Sequence, residues 1–459
     1  MKKTLLMAAF LGLIVSQENV QAQEFKRNCG FGIALNKYEA KDPSFREKVH
    51  AYQAEQVAQY QQLRVNGALE RGTGISPIPV IFHIVVDSAL YNQMGGATGI
   101  ANRVNTQMDV LNRDFNRQNA DSSQIPAVFK TVYGNANIQF GLAHRQPDGT
   151  TTPGYEIKIV SSTVANSIAG GSNSLFSAAK YSNQGGLDAW DNTKYLNVWV
   201  TKTGANTGNV ILGVTVPQSS INYGQAAQAE KGIVLSGYAI GVQSSATNGQ
   251  TFISGITGGR TLTHEMGHFF EIWHVWGDDN GRCPGHPGGH DDDIADTPPQ
   301  ADATYGNPTF PLYDSCSAAG TNGIMFMNYM DYVNDNAMHI FTNDQIINMQ
   351  ASLNGENYTL TQHPELLAWP TAVTNVEQKN NFDIYPNPTT GSFNISFNGS
   401  GVLKAIHVLD MMGKNVQTIN INNQQNGIYP IDLSGMSKGI YFVQCQFDEG
   451  VISRKIVLQ

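Results

Sequence analysis

Two histidines four residues apart, His264 and His268, lie in the run Thr263-His264-Glu265-Met266-Gly267-His268-Phe269-Phe270-Glu271-Ile272-Trp273-His274. On a helix this spacing projects both imidazoles from one face, so they can share one cation. Glu265 stands beside them, where a carboxylate can act as general base on a water activated by that cation. His274 follows His268 by six residues. A continuous helix would turn it away, so it joins the pair only if the helix ends near residue 271 and the chain swings back. Three neutral imidazoles leave a zinc ion one open position for water. The alternative is a helix whose histidines are solvated or satisfied in a core. A third histidine at this offset makes coincidence rare, on the order of one chain in several thousand.

These residues need a scaffold. Residues 262–272 read as the helix that carries them. Residues 78–86 are a β-branched run that reads as a buried strand. Residues 100–116 read as a helix, with Val104, Met108, Val110, Leu111 and Phe115 at helical spacing. Further strands are expected at 137–143, 196–200, 209–216 and 231–240. This order argues for an α+β domain of about 300 residues. The stretch 271–300 holds Glu271, Asp278, Asp279, Asp291, Asp292, Asp293 and Asp296 against one base, Arg282. It is rich in Gly and Pro and reads as an irregular loop.

The composition sets the outer limits. A chain of 459 residues allows about three domains. With 41% hydrophobic and 14% charged residues it can bury a core. A net charge of −9 argues against phosphate-driven nucleic-acid binding. Residues 1–22 read as a secretory signal: Lys2 and Lys3, an apolar run at 5–15, and an exit at Ala22. No later stretch is apolar for about 18 residues, so no transmembrane segment is expected. Export to an oxidising compartment favours pairing of Cys283 with Cys316, which flank the acidic loop; Cys29 and Cys445 are expected to stay unpaired. Residues 23–71 are polar and Gln-rich. Their helical stretch at 43–63 has a thin apolar stripe of Phe45, Val49 and Tyr52, too weak for a domain of its own. Residues 376–459 alternate as short strands at 393–397, 402–409, 416–421, 440–447 and 451–457, which suggests a small all-β sandwich.

The histidine run resembles that of the metzincin metalloproteases, and Asn328-Tyr329-Met330-Asp331-Tyr332 resembles their methionine turn. Trp276-Gly277-Asp278, Ala295-Asp296-Thr297-Pro298 and Met325-Phe326-Met327 make residues 29–355 similar to the pappalysin family within that clan. The resemblance implies a metzincin-like catalytic domain, with a twisted sheet and an active-site helix, that hydrolyses protein or peptide substrates with zinc. It implies Met330 as an apolar floor under the metal and Tyr332 as a donor to the developing oxyanion. It favours calcium in the acidic loop, with Asp293, Asp296 and Thr297 as contributors. It implies a preference for Arg or Lys after the scissile bond, and Asp335 is the carboxylate expected in that pocket. A thiolate is a strong zinc ligand, so Cys29 in Arg27-Asn28-Cys29-Gly30 is expected on the fourth zinc position of a latent form. The resemblance supports this expectation. Cleavage next to Arg64 or Arg71 would then release the pro-segment. One departure stands out. Glu271 occupies the family's glycine position, where left-handed geometry costs about 1–2 kcal/mol for another residue. Either the strain is tolerated or the helix breaks differently; Glu271 as a ligand is a third, lesser reading.

The tail resembles the C-terminal sorting domain of the type IX secretion system. The matching stretches are Tyr385-Pro386-Asn387-Pro388-Thr389-Thr390-Gly391, Met412-Gly413-Lys414, Gly439-Ile440-Tyr441 and Arg454-Lys455-Ile456-Val457-Leu458. This implies the type IX machinery as a partner, with export across the periplasm and outer membrane to the medium or cell surface. The expected layout is signal 1–22, pro-segment 23–71, protease domain 72–360 and sorting domain 376–459. A surface adhesin with an inactive protease-like domain is the rival reading. Intact His264, Glu265, His268, His274 and Tyr332 argue against it.

Overall fold

A computed structural model describes residues 26–65, 77–170, 175–203, 209–246, 250–279, 281–286, 289–367, 380–410, 414–447 and 450–459. The expected signal, Arg71 and Met412-Gly413 lie outside the described residues. The chain divides into two units, one of residues 1–148 and 152–367, the other of 149–151 and 368–459. The segment expected as a pro-segment groups with the first unit.

The first unit is built on a seven-stranded sheet. Its longest strand is β2 (Ile78–Asp87), buried along its whole length, with an apolar run broken only by His83, which bonds Glu156 and Asn197, before Asp87 ends the strand. On one side β2 pairs in parallel with β5 (Leu196–Thr201). On the other it pairs first with β3 (Phe140–Leu142) and then with β4 (Tyr155–Val160), both parallel. β7 (Gly232–Ser236) runs parallel to β5, and β6 (Asn209–Val216) antiparallel to β7. β1 (Lys26–Cys29), from the expected pro-segment, adds to the edge of β6 in parallel.

Helices cover this sheet. α4 (Gly96–Phe115) buries Ile100, Val104, Met108, Leu111 and Phe115, the stripe its sequence spacing gives. It packs on α7 (Arg260–Phe269), the histidine-bearing helix. α1 (Phe31–Lys41) and α2 (Phe45–Val65) follow β1, and α2 lies along α8 (Asn343–Asn354). α8 opens with a capping box between Thr342 and Gln345. The short helices α3 (Ser88–Gln93), α5 (Ser162–Ala169) and α6 (Gln218–Asn222) sit in connections.

Several elements differ from expectation. The strand expected at 137–143 shrinks to 140–142, and that at 231–240 ends at Ser236, where Gly237 N–H turns back to Thr201 O (2.9 Å). The helix expected over 262–272 ends at Phe269, three residues early, because the chain must reverse there to return His274. β1, β4, α1, α3, α5, α6 and α8 are not among the expected elements, although β4, Tyr155-Glu156-Ile157-Lys158-Ile159-Val160, alternates as a strand does.

The second unit is an antiparallel all-β unit of β8 (Asn380–Tyr385), β9 (Ser392–Leu409), β10 (Asn415–Asp432), β11 (Gly439–Phe447) and β12 (Gly450–Leu458). The strands expected at 393–397 and 402–409 form one long strand, β9. Its first half pairs with β8 and its second with β11, while β10 follows both. Alternate residues Phe393, Ile395 and Phe397 share one core with Ile406, Val408, Val443, Cys445 and Phe447. Among the described residues, no helix is long and apolar enough to cross a membrane.

Candidate metal centre and substrate cleft

The break after α7 is made at Glu271, whose φ is +67°. The strain is therefore accepted rather than avoided. It is offset where it arises: the Glu271 carboxylate accepts from Ser219 N–H (2.9 Å) and Ser219 Oγ (2.7 Å), and its backbone carbonyl accepts from Gln53 Nε2 (2.7 Å). Burial, then the nearby Glu356, pushes its carboxyl well above the usual range. The carboxylate is committed to Ser219, so the reading of Glu271 as a metal ligand is dropped.

The reversal returns His274 to the pair. His268 Nε2 lies 3.0 Å from His274 Nε2, which lies 3.2 Å from His264 Nε2. Cys29 Sγ completes a group of four ligand atoms, all within 4.8 Å of one another and all on buried residues. Each imidazole is oriented from behind. His264 Nδ1 faces Tyr329 O (2.8 Å), His268 Nδ1 faces Ile272 O (2.7 Å), and His274 Nδ1 faces the Asp278 carboxylate (2.7 Å). Those partners only accept, so each Nδ1 donates. Each Nε2 of a neutral ring then offers a lone pair. Burial and the neighbouring His274 push the basicity of His264 and of His268 well down, which keeps these rings neutral. Three imidazole lone pairs converging on one point beside a thiol fit a cation, and the N₃S set suits zinc.

The surroundings serve this centre. Met330 is fully buried beneath α7. A Cβ on Gly267 would stand 2.3 Å from its sulfur, so only glycine at 267 lets the methionine turn approach. Glu265 is buried, and Thr215 Oγ1 on β6 donates to its Oε2 (2.7 Å). A Cβ on Gly213 would stand 2.5 Å from its Oε1. Burial pushes the Glu265 carboxyl up to about 7, against the Thr215 and Cys29 donors and the Arg27 charge. Tyr332 Oη accepts from Cys29 N–H (3.1 Å), and its ring packs edge-on against His274 (5.0 Å).

Cys29 reaches the cluster because β1 lies on the edge of β6, with Gly30 N–H donating to Gly213 O (2.8 Å). Two residues earlier, Arg27 pairs with Asp335, both side chains buried. Asp335 is held by Gly258 N–H (2.7 Å), just before α7. Arg46 on α2 donates to Gly277 O (2.5 Å) and Asp278 O (3.0 Å).

The acidic loop behaves otherwise. Cys283 and Cys316 form the expected disulfide across it, with Cα atoms 5.3 Å apart. Cys29 and Cys445 are free thiols. The three expected calcium contributors do not converge. Asp293 pairs with His50 of α2, Asp296 accepts from Asp344 N–H (3.0 Å), and Thr297 Oγ1 donates to Asp292 (2.9 Å). Sequence reasoning also missed Asp278, Thr215 and Arg27 as partners of His274, Glu265 and Asp335. Of these, only Asp278 carried a local signal, four residues from His274 within a motif already noted.

A catalytic helix ending in a tight reversal, above a methionine turn and beside a sheet edge, defines a metzincin-type metallopeptidase. The family described as pregnancy-associated plasma protein-A, a peptidase family, matches residues 180–354. Mature mirolysin of Tannerella forsythia, solved with a cleaved peptide, is 33% identical, with 64% of this chain and 99% of that chain covered and a TM-score of 0.53. A promirolysin variant of the same organism is 30% identical over 71% of this chain and 98% of its own, with a TM-score of 0.54. This chain belongs to the pappalysin family of metallopeptidases. An extracellular metalloprotease of Arthroderma otae is 44% identical over 87 residues, 19% of this chain and 28% of its own length. One of Sordaria macrospora is 41% identical over 97 residues, 21% of this chain and 30% of its own. The chain thus spans under a third of such curated relatives. Residues 383–459 match the secretion-system C-terminal sorting domain, which marks the chain for type IX export.

Proposed function

We propose that this chain is a secreted zinc endopeptidase, made latent, that cleaves proteins before Arg or Lys. The observation that carries the reading is the course of residues 27–29: Arg27 fills the Asp335 pocket while the Cys29 thiol faces the three histidines. His264, His268 and His274 would hold zinc, with Cys29 as fourth ligand until the pro-segment leaves. Zinc, when bound, polarises the scissile carbonyl and acidifies water. Glu265 takes the water's proton and returns it to the leaving amine. Tyr332, freed from Cys29 N–H, donates to the developing oxyanion. In Arg27-Asn28-Cys29 the basic residue precedes the metal-facing group, whereas in a substrate it would follow the scissile carbonyl. The pro-segment therefore runs through the cleft backwards and is not cut there. Arg64, exposed in the last turn of α2, is the candidate cleavage point among the described residues.

The proposal includes calcium in the acidic loop, held through Asp292 rather than through Asp293, Asp296 and Thr297. The Asp292 carboxyl is buried and pushed well above the usual range, by burial and then by the facing Asp291 carboxyl, a pairing that a hard cation relieves. The test of function joins a casein assay to a peptide library. Glu265→Ala is expected to keep zinc and lose turnover by several orders of magnitude. Asp335→Ala is expected to erase the basic preference after the bond, about 100-fold or more in kcat/KM. An active Glu265→Ala enzyme, or a basic preference indifferent to Asp335, contradicts the reading.

A further inference from the structure

The indole of Trp273 is almost entirely covered, and its cover is pro-segment. Phe31 meets it edge-on (5.5 Å between centroids, 83°), His50 stacks on it (4.5 Å, 30°), and the Arg46 guanidinium lies 4.9 Å from its centre. Phe31 also lies flat on His268, 4.1 Å between centroids and 5° from parallel. Two aromatic surfaces, one of them a metal-facing imidazole, thus form a corner that holds a phenyl ring. Thr215, Pro217 and Ser219 line the same hollow. Once residues before β2 are cleaved away, this corner opens into the cleft.

Its place relative to the reaction follows from the chain that now fills it. Arg27 lies two residues before Cys29 and sits at Asp335; Phe31 lies two residues after Cys29 and sits at Trp273. The two pockets therefore flank the metal centre, the first filled from β1 and the second from the first residue of α1. A substrate whose basic residue enters the Asp335 pocket just after the scissile bond must lay its preceding residues toward Trp273. We propose that Trp273 and the face of His268 form an aromatic subsite for the substrate side chain one or two residues before the scissile bond. The enzyme then selects a basic residue after the bond and an aromatic one before it. Aromatic pairs favour edge-on geometry, which Phe31 already adopts on Trp273. Phe31 is thus a built-in occupant of the subsite, as Arg27 is of the basic pocket.

The direction rests on the Asp335 reading, and the test separates the two. Enzyme matured from the full-length chain, with zinc content checked, is given peptides with Arg fixed after the bond. Phe, Leu, Ala, Gly or Asp is varied at each of the two preceding positions. Phe is expected to exceed Ala by about tenfold in kcat/KM at one of them. Trp273→Ala should abolish that ratio, and Trp273→Phe should retain it, at equal zinc content. No aromatic preference at either position, or one unchanged in Trp273→Ala, overturns the proposal. A missing Arg preference would instead strike Asp335. Should Trp273→Ala fail to fold, inhibition of the wild-type enzyme by the free peptide Arg-Asn-Cys-Gly-Phe against its Phe-to-Ala counterpart decides. About tenfold weaker inhibition by the second supports the subsite, and equal inhibition refutes it.

Discussion

The histidine segment and the acidic loop are neighbours in sequence and both are rich in ligand-type side chains, yet only the first converges. In the segment from His264 to Asp278, every ring has its Nδ1 fixed by an acceptor and its Nε2 left facing the others. In the loop, Asp293, Asp296 and Thr297 turn to three separate partners, His50, Asp344 and Asp292, rather than to one point. Density of ligand atoms alone does not make a zinc site. Lone pairs aimed at a common point, with their other ends tied down, do.

The largest break is predicted at the centre. His268→Ala removes one of three converging rings, and zinc is expected to fall below stoichiometric binding by elemental analysis, with activity lost by several orders of magnitude. Next is the support behind the rings. Asp278→Asn keeps the size of the group that orients His274 but removes its charge, and should lower zinc affinity about 10–100-fold in a chelator competition. Unchanged affinity would mean that His274 is held by the stacked Trp276 instead (4.3 Å). The smallest effect belongs to the loop. Calorimetry on chelator-stripped protein should show a calcium heat that Asp292→Asn abolishes, with zinc content unaffected. No heat in the wild type would leave the loop as hydrogen-bonded carboxylates alone.

What the sequence could and could not reveal follows the same division. His264, Glu265 and His268 were legible because helical spacing is local: four residues put two rings on one face. His274 was legible only on condition that the helix stop, and Glu271 then supplied the stop at a positive φ through bonds to Ser219, 52 residues away in sequence. That compensation is non-local and leaves no local mark. The buried strand β2 announced itself through its β-branched apolar run, whereas β1 and α1 did not. Their residues gain order from the cleft they fill, Arg27 from Asp335 and Phe31 from His268 and Trp273. A segment shaped to a partner surface has little periodicity of its own to read. In the second unit alternation survived, since each strand buries one face, but the joining of two expected strands into β9 depended on pairing across β8, β10 and β11.

The central claim is that the pro-segment silences the enzyme by seating Cys29 on the metal and Arg27 in the specificity pocket. X-ray absorption at the zinc edge of the purified, uncleaved precursor tests it most directly. The account predicts three nitrogen ligands and one sulfur in the wild type, loss of the sulfur in Cys29→Ala, and faster maturation of that variant. A precursor whose zinc has no sulfur ligand, and whose Cys29→Ala form matures no faster, would contradict it.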